Sequence, residues 1–175
     1  MGKKCLAVVI CAIDQCIVKL FRWKHVPGSD LKFVYFVPHK HKGKPVHLND
    51  GVVIEKGDLV AEIHFDNRFL GKNDTRYANI LRWTKKEMRN IKNCLETDIE
   101  PYHRIKAIHG NATIHQIMAR MGFTIVENRK HFFTWIIAGW ENVLRLVLKQ
   151  TKRKKERFVA PKECWISASQ TKELW

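Results

Sequence analysis

The chain has 175 residues, 45% of them hydrophobic, with 32 Lys and Arg against 17 Asp and Glu for a formal net charge of +15. That length is most simply one domain over residues 1–175, able to bury roughly two-thirds of its unfolded surface, and the composition excludes a chain disordered along most of its length. The charge points to polyanions, phosphorylated ligands or an acidic membrane surface without choosing among them.

Five cysteines, an odd number with no C-x-x-C pair, read as free thiols in a reducing, cytoplasmic compartment rather than a disulfide framework or zinc knuckle. Residues 1–25 hold an apolar run behind Lys3 and Lys4. Its stripe of Leu6, Val9, Ile10, Ile13, Ile17 and Leu20 predicts an amphipathic core or surface helix, while Asp14 and Gln15 argue against a signal anchor. Pro27-Gly28-Ser29-Asp30 ends it, and Leu31 to Val37 reads as a strand. His39, His41 and His47 alternate with lysines in a stretch lacking nearby acidic or thiol partners, so His39 to Pro45 reads as a solvated loop.

Asn49-Asp50-Gly51 and Lys56-Gly57-Asp58 are turn signals on either side of Val52 to Ile54, which predicts a three-strand antiparallel meander ending in Leu59 to Asn67. Read with a period of two, Leu59, Ala61, Ile63 and Phe65 share one face of that last strand, and Val60, Glu62, His64 and Asp66 the other. Two carboxylates thus flank an imidazole at about 6 to 7 Å steps, close enough to raise its pKa or to share a proton. A half-buried strand with a polar outer face accounts for the same pattern.

Asn67 to Thr75 reads as a polar loop, and Tyr77 to Thr97 as a long amphipathic helix with a basic outer face. Arg104 to His109 reads as a strand whose pairing with Leu59 to Asp66 would bring His109 and Thr113 beside the polar stripe. A short helix follows from Ala112 to Met121, capped by Gly122, then a strand from Phe123 to Val126. His131 to Leu148 reads as an aromatic helix, and residues 149–160 as a basic linker containing Lys152, Arg153, Lys154 and Lys155. That pair suits a core helix with a solvated linker, and equally the interface of an anionic bilayer. Cys164 to Ser167 closes the chain as a strand before a terminal helical turn.

The order of elements predicts an α+β fold, a mixed and mainly antiparallel sheet covered by helices. From the middle strand onward it resembles the core of the acyl-CoA N-acyltransferase superfamily, whose pyrophosphate loop Arg68-Phe69-Leu70-Gly71-Lys72-Asn73 matches at Arg68 and Gly71 and departs at Asn73. A second resemblance spans nearly the whole chain. Asn49-Asp50-Gly51, Gly57-Asp58-Leu59-Val60-Ala61-Glu62-Ile63-His64-Phe65-Asp66-Asn67, His109-Gly110 with Thr113, Met121-Gly122-Phe123 and Trp165-Ile166-Ser167 are similar to the YkoP-type domain of Bacillus-like bacteria. That domain also stands beside polysaccharide deacetylases, which implies a link to envelope or glycan processing.

These resemblances lead to an expected GNAT-like acyltransferase on an envelope or sugar precursor, peripheral at the inner membrane face. Glu62 or His64 would accept the proton, Asp66 would orient His64, and His109 would add a second imidazole. Arg68, Gly71 and Asn73 would meet the phosphates of acyl-CoA, and Asn67 and Thr113 the acceptor. The alternative is a non-catalytic module for an anionic glycan, lipid head group or membrane, with Lys152, Arg153, Lys154 and Lys155 as contacts. A hydrolytic metal set of His64, Asp66 and His109 ranks below both, so no metal is expected, and nucleic acid is not expected as a partner because no known binding motif is present.

Overall fold

A computed structural model describes residues 2–127 and 160–175. The expected helix His131 to Leu148 and the basic run with Lys152 to Lys155 lie outside them. Along the described chain come α1 (Gly2–Leu20), β1 (Val34–Lys40), β2 (Val46–His47), β3 (Val53–Ile54), β4 (Leu59–Phe65), α2 (Asn67–Lys72) and α3 (Tyr77–Glu96). A 3-10 turn at Tyr102–Arg104 leads to β5 (Ala107–Ala112), α4 (His115–Arg120), β6 (Thr124–Val126), β7 (Lys162–Ser167) and a last helix, α5 (Ala168–Leu174).

Five strands form one sheet in the order β1-β4-β5-β7-β6, and β2 and β3 pair separately. β4 and β5 run parallel, and the other neighbours antiparallel, so the α+β class with a mixed, mainly antiparallel sheet holds. The meander does not: β1 pairs directly with β4, with Val34 opposite Phe65 and Lys40 opposite Leu59, and Val52 to Ile54 leaves the sheet as half of a two-stranded ribbon. Pro38, which cannot donate to a ladder, is tolerated because β1 is an edge strand.

Alternation gives the sheet two different faces. Ala61, Ile63, Ile108, Cys164 and Ile166 pack with Trp83, Met88, Ile91 and Leu95 of α3 and with Ile117 and Met118 of α4 in the main core. Val60, Ala107 and Trp165 point the other way and are covered by Leu48 and Ile54 of the ribbon. The ribbon is pinned to the sheet at the predicted Asn49-Asp50-Gly51 turn, where the Ser167 hydroxyl donates to the Asp50 carboxylate and the Asn49 N–H donates to Thr124 Oγ1 at 2.9 Å. On the core side Glu87 is buried, its Oε1 accepting from the Ser29 hydroxyl (2.7 Å) and the Phe33 N–H (3.1 Å), which ties α3 to the entry of β1.

Two local expectations change. Asn67 to Thr75 is not all loop: Asp66 caps α2 by accepting from the N–H groups of Arg68 (2.8 Å) and Phe69 (3.3 Å). α1 forms as predicted, with part of its apolar stripe turned outward. Val9, Ile13 and Leu20 of the apolar stripe are exposed at 49%, 45% and 76%, as on a surface helix, while Asp14 is buried and accepts from Asn67 Nδ2 at 2.8 Å. Gln15 beside it accepts from Arg68 Nη1 at 2.9 Å. Helix polarity alone points the apolar side inward, but the surface meeting α1 here is itself polar. Gly122 has φ +91°, the left-handed cap conformation its sequence position predicts. No helix among the described residues is long and apolar enough to cross a membrane.

Candidate functional site

The face of β4 that carries Glu62 and His64 is neither fully covered nor fully solvated, and neighbouring strands bring more titratable groups onto it. The register sets Glu62 opposite Val37 on one side and opposite His109 on the other, with His39 two positions beyond Val37 on the same face. One ligand atom from each of His39, Glu62 and His109 lies within 4.8 Å of the others, a set able to hold a metal ion. His109 Nε2 is 3.4 Å from His39 Nε2, and Glu62 Oε2 is 3.4 Å from His64 Nε2.

The rings are held from behind. Trp165, opposite His109 in the β5–β7 register, stacks on it with centroids 4.1 Å apart and 12° between planes. His64 stacks on Trp23 at 3.9 Å and 11°. Trp23 reaches this place because the segment after α1 runs antiparallel beside β1, with the Phe36 N–H donating to the Lys24 carbonyl and the Val26 N–H to the Val34 carbonyl. The outer nitrogens also face polar groups: His39 Nδ1 lies 3.2 Å from the Val37 carbonyl, and His109 Nδ1 3.6 Å from Glu163 Oε1.

The electrostatics follow from burial and this crowding. Burial alone would raise the Glu62 carboxyl, but the hydrogen bond and charge of His64, with His109 and His39 nearby, hold it below its ordinary value. Burial drives His109 down from 6.5 to about 4; Glu62 opposes this and His39, His41 and His64 add to it. Glu163 is pushed up by burial. At neutral pH the face therefore presents an ionised carboxylate beside a neutral, buried imidazole.

A folded pKa below the unfolded one means that the unfolded chain binds more protons, so stability is full above the unfolded value and is lost as pH falls. For His109 that window runs from 6.5 down to about 4, and the depressed Glu62 works in the same direction. Metal-free protein is expected to show a falling denaturation midpoint across this range. His109→Gln should flatten the slope, and an unchanged slope would count against a neutral buried His109.

The predicted site residues divide into two groups. Glu62, His64 and His109 come together, and the expected strand pairing is what brings His109 in. Asp66 is engaged elsewhere: its Oδ2 lies 3.1 Å from His25 Nε2 and accepts from the Tyr35 hydroxyl at 3.0 Å, while its Oδ1 caps α2, so Glu62 is the carboxylate placed to orient His64. Asn67 binds Asp14, and Thr113 lies in the turn between β5 and α4. Of the expected phosphate seat, Arg68 is exposed on α2, Gly71 sits in its last turn, and Asn73 Nδ2 donates to the Phe69 carbonyl. The first N–H groups of α2 are already satisfied by Asp66, so the helix end offers no free seat to a phosphate.

His39 is the residue that sequence reasoning set aside. Extending the alternation of Tyr35 and Val37 by one step places it on the polar face, a signal hidden by the run of lysines around it. Trp23, Glu163 and Trp165 carried no local signal of a role here.

No curated protein and no solved structure matches the chain. The YkoP domain, whose pattern the Gly57 to Asn67 run resembles, matches residues 3–175, essentially the whole length. With Glu62 and His64 from that run at the centre of the polar face, the chain belongs to the YkoP domain family.

Proposed function

We propose that this protein transfers an acyl group to a polar acceptor such as an envelope glycan or its precursor, with His64 accepting the acceptor's proton. The observation that carries this reading is the Glu62–His64 pair, 3.4 Å apart, at the point where the parallel β4–β5 pairing ends with Glu62 opposite His109.

With Glu62 holding Nε2–H of His64, Nδ1 is the basic atom. It takes the proton from a hydroxyl or amine as that group attacks the acyl carbonyl, and Glu62 stabilises the resulting imidazolium. His64 is suited to this because its side chain is 28% exposed while its ring is fixed against Trp23. Acyl-CoA is the donor to test first. Its phosphates would meet the exposed Arg68 side chain, since the end of α2 is occupied by Asp66.

Calorimetric titration with acetyl-CoA and a longer acyl-CoA, repeated at high salt to remove nonspecific attraction to the +15 surface, tests the donor. Saturable, salt-tolerant binding is expected. Release of CoA thiol with an amino-sugar acceptor should fall by a factor on the order of 10² to 10⁴ in His64→Ala, with the fold retained. Binding no stronger than the electrostatic background would overturn the reading.

One observation favours the module reading as an alternative. Arg82, Lys85, Lys86 and Arg89 are all exposed on α3, a basic helix face suited to an anionic glycan or lipid surface. That reading predicts salt-sensitive pelleting with anionic vesicles that weakens when Lys85, Lys86 and Arg89 are neutralised.

A further inference from the structure

The two imidazoles that face each other across the β1–β4–β5 strands pose a proton problem. His39 Nδ1 points at the Val37 carbonyl at 3.2 Å, and a carbonyl can only accept, so the ring proton of neutral His39 belongs on Nδ1. His109 Nδ1 is buried without a hydrogen-bond partner, and the Glu163 carboxylate, its nearest acceptor at 3.6 Å, favours the proton on Nδ1 as well by its charge. Both Nε2 atoms then present lone pairs to each other at 3.4 Å. Moving either proton inward to make an N–H···N bond turns a bare nitrogen toward an oxygen acceptor on the outside. The arrangement is satisfied by a cation between the two nitrogens.

The spacing fits a metal. Two nitrogens bound at about 2.0 to 2.1 Å to a tetrahedral ion stand about 3.3 Å apart, close to the 3.4 Å found here. Glu62 supplies the third ligand from the strand between them, with all three ligand atoms within 4.8 Å of one another. The surroundings have the form metal sites require, in which groups behind the ligands fix their orientation. Val37 stands behind His39, Glu163 behind His109, and His64 beside Glu62 Oε2. The ligands come from three adjacent strands of one sheet, so the cluster is held by the ladder rather than by a mobile loop.

We infer that His39, Glu62 and His109 form a site for one divalent transition metal of the zinc type, bound by two imidazoles and a carboxylate with a fourth position open to water or substrate. Two nitrogens and one oxygen suit zinc or ferrous iron better than magnesium or calcium, which take oxygen ligands. The set differs from the His64, Asp66 and His109 combination that spacing along the sequence suggests, because Asp66 is spent on His25, Tyr35 and the α2 cap. The inference goes beyond the acyl-transfer reading and does not depend on it.

The test uses untagged full-length protein stripped with a chelator. Calorimetry with Zn²⁺ is expected to show one saturable equivalent per chain, and Co²⁺ the intense visible bands of four-coordinate cobalt. His39→Ala and His109→Ala should each weaken binding by more than about 100-fold, and Glu163→Gln, acting through His109, by about 10-fold. The exposed His47 and His103 serve as controls, and alanine at either should leave binding unchanged. His39 sits near the end of an edge strand, so His39→Ala is the variant expected to keep its fold, checked by circular dichroism. Absence of a saturable site in the wild type, or a site that survives His39→Ala, would overturn the inference. Neither result bears on acyl-CoA binding, so the two readings fail separately.

Discussion

Trp165→Ala is expected to cost about 3 to 5 kcal/mol of folding stability, the range for emptying a buried aromatic site. Trp165 is 1% exposed and forms the floor of the second core, packed with Leu48, Ile54, Val60 and Ala107. Those neighbours sit on the ribbon and on two strands held in register, so they cannot collapse far into the space left behind. A domain of this size has a total stability of only about 5 to 15 kcal/mol, so the variant should be visibly less stable in a denaturant titration, with a lower midpoint and a similar slope.

The same substitution has a second readout at the functional face. Trp165 stacks on His109, and His41 meets the indole edge-on at 5.5 Å. Without the indole, the His109 ring loses the surface that fixes its plane, and its Nε2 is no longer held toward His39. Trp165→Phe keeps an apolar ring and should recover most of the stability. Comparing the two variants by calorimetry with Zn²⁺ separates loss of packing from loss of ring orientation. A Trp165→Ala protein as stable as wild type would show that this face is not packed as described.

Much of this fold is legible because local pattern and tertiary need agree. The Glu62/His64 alternation, the α3 periodicity and the Gly122 cap each state a local rule that the surrounding packing also requires. The family resemblance likewise has its most specific part in a contiguous run, Gly57 to Asn67, and the match over residues 3–175 supports it. What was not legible depends on partners distant in sequence. α1 turns Asp14 inward because Asn67 waits there, 53 residues on, and an apolar stripe cannot report that. Asp66 looks equivalent to Glu62 along the strand, yet it lies at the strand end, where the first N–H groups of α2 and the Tyr35 hydroxyl claim it. His39 looks like one of several solvated histidines until β1 is laid beside β4 with Lys40 opposite Leu59. Charge shows what kind of partner a surface attracts, but only register shows which histidine meets which carboxylate.

Gly110→Ala should cost about 2 to 3 kcal/mol, the upper part of the usual range for overpacking, and should disturb the site more than that figure suggests. A Cβ at position 110 would lie 2.7 Å from the Ile63 carbonyl oxygen and 2.9 Å from Ile63 Cγ1. The side-chain clash can be relieved by a rotamer change, but the carbonyl belongs to β4 itself and cannot step aside alone. β4 is held on its other side by β1, with Ile63 opposite Phe36, so the strain falls on the β4–β5 junction. That junction is short, three residue pairs ending at Glu62 and His109, and position 110 is the next residue. Pushing β5 away therefore widens the gap between the two strands that carry the carboxylate and the buried imidazole. The expected signature is a fold that survives at low temperature with metal affinity and catalysis both reduced, although no ligand or proton-transfer group has been altered. Gly122→Ala is the control: it too is strained, at φ +91°, with its clash directed at the Leu174 and Gln170 side chains on α5 instead of at β4. It should lower stability while leaving Zn²⁺ affinity near the wild-type value. Equal loss of affinity in both variants would show that the effect is general destabilisation; loss confined to Gly110→Ala would show that close contact between β4 and β5 is what sets the distance between Glu62 and His109.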